Sequence, residues 1–370
     1  MPGCRYNKTN PASLVSVEPM YPPYMVEQVH ARQIIETHGR SSTAFLALLG
    51  DKNFYFSQRG SLIPYASFGK VAVALGDPIG PPEDIYEAIT GFRSFCDQNG
   101  WIAAFCLAGP DYLENYQQAG FKNILVGYDA VVDLHEFNLQ GKARSSYRKR
   151  YNRLRKQGFQ FVLHQPPLSD TLLDQLHQIS DQWLKRVSGS EKRFFNGWFD
   201  PLYIRSSYVA TIDDPQGDII AFANLAPEYQ LNEISVDLVR YGKAKPSGII
   251  DFLFVSLLYW AKEQGYDTFN LGGCEPAQVS HDPSNPMIER IAYFLFKQLA
   301  RFYGYKGLYD FKRKFQPTLQ GLYLVYPGIV HLPAIGYAIA RIDAGRGRGT
   351  IQVRKTPRPA EKTEDTLLTN

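Results

Sequence analysis

The chain has 370 residues, 44% hydrophobic and 21% charged, which excludes a disordered chain and leaves room for two domains of ordinary size. Its formal net charge of +4 is too small to define a partner, while aromatic residues, at 14%, are abundant enough to fill cores or line grooves for long apolar ligands. Cys4, Cys96, Cys106 and Cys274 are scattered without a Cys-x-x-Cys pair or a zinc spacing, which argues for a reducing compartment and against a disulfide framework. Met1 to Pro22 has no basic-then-apolar leader pattern, and no run of about 18 uninterrupted apolar residues occurs, so no spanning helix is expected.

Short apolar or alternating runs at 43–49, 53–57 and 71–75, bounded by Gly, Asp and Asn, predict strands. After Gly76-Asp77-Pro78, residues Ile85, Ile89, Phe92 and Cys96 recur at helical spacing, and Gly100 closes the helix. A strand at 101–107, a short helix at 112–118, Gly120-Phe121 and a strand at 124–134 follow. The order then repeats. Ser169 is a candidate N-cap for a helix whose apolar stripe is Leu172, Leu173, Leu176, Ile179 and Trp183. Strands are predicted at 207–212, 219–225 and 233–240, a helix at 249–264 stopped by Gly265, a strand at 268–271 and a helix at 287–302. The division that follows is an N-terminal lobe at 20–140, a basic connection at 141–159, a C-terminal lobe at 160–343 and a disordered tail at 344–370. Antiparallel hairpins mixed with crossovers favour α+β lobes, each a mixed sheet flanked by helices, over a doubly wound parallel sheet.

Three constellations carry chemistry. The first is Lys142, Arg144, Arg148, Lys149, Arg150, Arg153, Arg155 and Lys156, with no acid among them. Such a run suits RNA backbone or anionic lipid headgroups, with Arg144, Arg148, Arg150 and Arg153 as phosphate ligands. A basic linker without a partner reads the same way, and the interleaved Tyr147 and Tyr151 are candidates for stacking on bases. The second is Ser235-Val236-Asp237-Leu238-Val239-Arg240, followed by Asp251. On a regular strand Asp237 and Arg240 point to opposite faces, and they share one only if the strand ends or bulges. Two carboxylates and a guanidinium suit an amine and a phosphate; a structural ion pair is the alternative. The third is Phe311-Lys312-Arg313-Lys314-Phe315, which, if extended, presents Lys312 and Lys314 on one face and the phenylalanines on the other.

The runs GDPIG (76–80), GKARSSYRKRYNRLRKQGF (141–159), SVDLVRYGKAKPSGIIDFLFVSLLYWAKEQGYDTFNLGG (235–273) and LYDFKRKFQP (308–317) resemble the C-terminal domain family of the phosphatidylglycerol lysyltransferases, in order over about residues 25–330. The resemblance implies two tandem GNAT-like lobes. It also implies transfer of an aminoacyl group, lysyl foremost, from charged tRNA to phosphatidylglycerol at the cytoplasmic leaflet. Many relatives carry a multi-span flippase region before this domain; the chain is read as a form without it. The family pattern places the aminoacyl end and active site at Asp237, Arg240 and Lys312. Asp251, Glu275 and Lys314 are the further substrate-binding candidates, with Asp251 and Glu275 the candidates for taking the hydroxyl proton. After the strand ending Asn270-Leu271-Gly272 the chain departs from the family, with Gly273-Cys274-Glu275-Pro276 in place of a Met-Ala-Pro-Leu type segment.

No metal and no bound cofactor are expected, charged tRNA being a co-substrate. The 301–307 stretch only loosely imitates a pyrophosphate-cradling turn, and none of the seven histidines sits in a metal or triad motif. The apolar, proline-broken stretch 321–342 either lies in a membrane interface or covers a core. The expected protein is a cytoplasmic transferase held peripherally at the inner leaflet. The rival readings are aminoacyl transfer to a peptide or another lipid, and a non-catalytic RNA- or membrane-binding relative.

Overall fold

The computed structural model describes residues 26–142, 144–187, 189–243, 246–274 and 308–347. The expected helix at 287–302, Glu275 and the tail from 348 lie outside the described residues.

Among the described residues eleven strands form one mixed sheet in the order β1-β2-β3-β4-β11-β5-β10-β9-β8-β7-β6. β1 (Asn53–Phe56), β2 (Leu62–Phe68) and β3 (Val71–Leu75) make an antiparallel meander at one end. β6 (Gln160–His164), β7 (Tyr208–Asp213), β8 (Ile219–Glu228) and β9 (Glu233–Tyr241) make the other. Each half contains one parallel pair, and each pair is linked by a helix. In the first half α3 (Ile85–Gln98) crosses from β3 to β4 (Ile102–Ala108); in the second α8 (Ile249–Gln264) crosses from β9 to β10 (Thr268–Cys274). The repeated order read from the sequence is thus a repeated β-α-β unit.

The last strands of the two halves change places. β5 (Lys122–Asp133), which ends the first half, pairs with β10, whereas β11 (Thr318–Tyr326), from the end of the second, is hydrogen-bonded between β4 and β5. The C-terminal lobe drawn at 160–343 therefore sends one strand into the first half's sheet.

Alternation along the strands distributes the core. In β3, Val71, Val73 and Leu75 face one cluster, while Ala72 and Ala74 face another beneath α3. The first cluster continues across the sheet under α6 (Asp170–Val187) and α10 (Leu332–Arg341). Ser169 accepts the Leu172 N–H at 3.3 Å, as its predicted capping role requires. α8 is buried nearly all round because it lies between the sheet and α5 (Ser145–Lys156), so its apolar pattern shows little periodicity. The 321–342 stretch becomes β11 and α10, with Leu332, Ile335 and Ile339 packed in the core.

Several expectations change. Residues 43–49 form α2 (Ser42–Leu46) and turns instead of a strand, their apolar side chains filling clusters beside α1 (Val26–His38) and β8. The segment around Lys312 is not extended but forms α9 (Leu308–Arg313). The four-residue spacing of Phe311 and Phe315 serves a helix equally well, and both rings pack on Phe254, at 5.2 and 6.2 Å. Tyr147 and Tyr151 do not face out to bases. With Leu154 they form the inner stripe of α5, Tyr147 fully buried and Tyr151 stacked on Phe252 at 5.0 Å.

Candidate functional site

The site is built on a bulge in β9. Opposite β8, Ala223 pairs with Val239 but Leu225 pairs with Val236, so β9 carries one residue more than its partner between those points. Val236 and Val239 both face the α8 side, while Leu238 joins the core under α6 and Arg240 lies over Trp183 of α6, 3.8 Å from its ring centroid. The bulge brings Asp237 and Arg240 onto one face, the condition that the sequence pattern alone left open.

Asp237 is half-buried. One carboxylate oxygen accepts the Gly197 N–H at 2.9 Å; the other accepts the hydroxyl of Tyr203, from α7 (Pro201–Arg205), at 2.6 Å. Asn224 on β8 donates to the same hydroxyl at 2.7 Å and accepts the Leu238 N–H at 2.8 Å, which pins the bulge. Burial pushes the Asp237 carboxyl above the usual carboxylate range; the Tyr203 and Gly197 hydrogen bonds and the charges of Arg240 and Lys52 oppose this. Each oxygen has used one acceptor position and keeps room for another donor, so the group can receive an ammonium.

A strap of residues 191–200 encloses this carboxylate. A Cβ built on Gly197 would lie 1.7 Å from an Asp237 oxygen, so only glycine lets the strap's backbone reach it. Glu191 at the start of the strap pairs with Arg240 at 2.9 Å and accepts the Phe199 N–H at 3.2 Å. Arg240 is 2% exposed; it is turned into the protein and acts on Asp237 from behind, not on solvent.

Beside Asp237 the sheet opens. β9 and β10 pair only as far as Ser235 and Asn270, after which β10 continues against β5 alone. At the parting, Gly272 turns with φ +81°, and the ammonium of Lys312 donates to the carbonyls of Gly272 and Gly273 at 2.8 and 2.7 Å. A Cβ on Gly272 would come within 3.6 Å of that nitrogen and 3.9 Å of the Val236 carbonyl, which places the amine beside the residue preceding Asp237. Lys312 is buried, and desolvation lowers it to about 8 against the pull of Cys274 and Asp129. Glu233, Thr268 and Asn270 form a hydrogen-bonded polar group at the end of the paired section.

The remaining predicted residues lie elsewhere. Asp251 is on α8, across the sheet, held between Arg150 at 2.9 Å and Lys314 at 3.1 Å. Arg144 bonds the side chains of Asn138 and Gln316, Arg148 the carbonyls of Leu139 and Gly141, and Arg153 that of Ser247. These four arginines fasten α5 to its surroundings, while Lys149, Arg155 and Lys156 remain exposed. Among the described residues no group of three or more His, Cys, Asp or Glu is arranged to hold a metal ion.

Residues 32–326 match the family model of the phosphatidylglycerol lysyltransferase C-terminal domain. The chain belongs to this family. The phosphatidylglycerol lysyltransferase of Bacillus subtilis is 38% identical over 78% of the chain, but that match takes in only 34% of the relative; for the Staphylococcus epidermidis enzyme the figures are 30%, 82% and 36%. The chain thus spans about a third of the length of the curated relatives it matches. The solved structure of L-PGS from Bacillus licheniformis superposes with a TM-score of 0.80 at 34% identity, covering 89% of this chain and 99% of that one. The α+β fold with a mixed sheet flanked by helices is that of these lysyltransferase domains. FemX, at 10% identity and a TM-score of 0.54, shares the fold alone, over 86% of this chain and 99% of its own.

Several residues of the site gave no sequence motif: Lys52, Glu191, Gly197, Tyr203 and Asn224. The one available signal was the crowding of charge, aromatics and glycine in Glu191-Lys192-Arg193-Phe194-Phe195-Asn196-Gly197-Trp198, a composition too aromatic for a solvated loop.

Proposed function

We propose that the chain transfers an aminoacyl group, lysyl foremost, from charged tRNA to the glycerol hydroxyl of phosphatidylglycerol. The observation that carries the proposal is the half-buried Asp237 carboxylate with unused acceptor capacity, set where β9 and β10 part. Family membership and relatives named phosphatidylglycerol lysyltransferase give the chemical class.

The aminoacyl ester is already activated, so positioning and charge suffice for most of the catalysis. Asp237 receives the α-ammonium and fixes the ester carbonyl. The lipid hydroxyl adds to that carbonyl carbon, the bond to the tRNA ribose oxygen breaks, and the hydroxyl proton ends on the released ribose oxygen. Arg240 serves as a positioning residue behind Asp237. Lys312 holds the parted end of β10 and places a positive charge near the developing oxyanion.

Encounter with the lipid is at a surface. No helix among the described residues is long and apolar enough to cross a membrane. The exposed cations of α5 suit anionic headgroups, and Val330 and Tyr337, 82% and 59% exposed, suit the interfacial layer.

The test is reconstitution. Purified protein, lysyl-tRNA and phosphatidylglycerol vesicles should yield lysyl-phosphatidylglycerol, detected by lipid extraction and mass spectrometry. Omission of tRNA should abolish it. No aminoacyl lipid with any charged tRNA, or the amino acid appearing on a peptide, would overturn the assignment.

A further inference from the structure

Lys52 stands in the connection between α2 and β1, in the first half of the chain, yet it reaches the site of the second. Its side chain is 0% exposed, and its ammonium bonds the neighbouring Asp51 carboxylate at 2.5 Å. It lies 5.4 Å from the ring centroid of Phe194 and 5.9 Å from that of Trp198, both on the strap. The other oxygen of Asp51 accepts the Phe194 N–H at 2.6 Å. Three residues further along the strap, the Gly197 N–H meets Asp237. One short segment therefore joins the buried lysine to the carboxylate.

A fully buried ammonium is costly to desolvate, and a buried acid–base pair roughly breaks even against apolar residues of the same volume. Packing alone would be served as well by Met or Leu. The electrostatics supply another reason. The positive charges acting on Asp237 are those of Arg240 from its own strand and Lys52 from the first half; each has its own acid behind it, Glu191 and Asp51. Both pairs thus present their cation to Asp237. The other groups on that carboxyl are the Tyr203 hydroxyl from α7 and the Gly197 N–H from the strap, and Arg193 is the further charge acting on Lys52.

We propose that Lys52 is a positioning residue for aminoacyl transfer, a fixed positive charge lent by the first half of the chain that holds Asp237 as the anion ready to receive an ammonium. The proposal rests on the reading of Asp237 given under Proposed function. Lys52 touches no substrate, being completely enclosed. Its effect is electrostatic and crosses from one half to the other. Burial raises the Asp237 carboxyl, and the lysine opposes that rise. Removing the lysine lets the carboxyl rise further. Removing Asp51 takes away the anion that keeps the buried lysine protonated, so the Asp237 carboxyl rises again.

Two variants test this, one removing the lysine and one removing the acid that keeps it charged. In Lys52→Met, the acidic limb of the pH profile of kcat/KM for lysyl transfer should move to higher pH. The loss should be about tenfold or more below the wild-type midpoint and should shrink on the alkaline side. In Asp51→Asn the limb should move the same way, because the buried lysine gives up its proton without its acid. A lysine that only filled space would reduce activity by one factor at every pH. The same comparison is made without any activity, on protein labelled with 13C at the aspartate carboxyl carbons, the Asp237 signal being assigned from its loss in Asp237→Asn. Its titration midpoint should rise in Lys52→Met and in Asp51→Asn alike. If Lys52→Met does not fold, Asp51→Asn alone decides by the sign of its shift. Midpoints unchanged in a folded variant would overturn the role of Lys52. Shifted midpoints in a protein that transfers no lysine to lipid would uphold the charge coupling and sink the functional reading instead.

Discussion

Two carboxylates, fourteen residues apart in the chain, look alike in the sequence and differ in the structure. Asp237 and Asp251 each have cations nearby, the first inside the run that pattern reading marks as a site and the second just after it. Asp251 is saturated: Arg150 and Lys314 take one oxygen each, and the three side chains rivet α5 and the α9 turn to the start of α8. Asp237 accepts only neutral donors, a hydroxyl and an amide, while its cations stand back and are matched by acids of their own. A carboxylate held by two cations has its charge spent. One held by neutral donors keeps its charge for a ligand.

That contrast can be broken at either carboxylate. The largest expected effect is at the first: Asp237→Asn should lower lysyl transfer about a hundredfold or more with the fold retained, and Arg240→Ala should follow it in direction through the charge it lends. Steady-state assays with circular dichroism as the fold control would check both, and near-normal turnover in both would remove the site. Asp251→Ala should behave the other way. It should cost about 1–2 kcal/mol of stability, a modest figure because Arg150 and Lys314 are 40% and 31% exposed, and leave the transfer rate per folded molecule close to wild type. A denaturant melt measures the first, and an activity loss larger than the loss of folded protein would show that Asp251 belongs to the chemistry. The smallest effect concerns the outer face of α5. Reversing Lys149, Arg155 and Lys156 to Glu should weaken flotation with phosphatidylglycerol vesicles, each cation contributing about 1 kcal/mol near an anionic surface. It should also flatten the salt dependence, since the Debye length shortens from about 10 Å at 0.1 M to about 3 Å at 1 M. Unchanged binding and slope would leave α5 as a solvated face.

Much of the fold was legible because it is local. The helix expected at 249–264 is α8 with those bounds, since Gly265 adopts φ +87° to stop it. The 43–49 run was misread because a short apolar run fits a strand and a buried helix equally. At the site, Asp237 and Arg240 were found by motif, but their common face depends on a bulge set by the register against β8. Asp251 was drawn in by the same motif and Lys314 by the cationic run around Lys312, and both belong to another face. Lys52 was missed for a different reason. A lysine in a turn between polar residues reads as solvated, and only the fold of the distant strap encloses it.

The exchange of β5 and β11 has a consequence for how the chain is made. During synthesis the first half emerges with β4 and β5 in hand, but the strand that lies between them arrives only with residues 318–326, after the second half has been translated. Until then both strands present unpaired backbone edges, the kind of surface that recruits other chains. The halves cannot mature one after the other as beads on a string. A chain stopped before Thr318 lacks the strand that joins β4 to β5 and leaves a gap in the middle of the sheet.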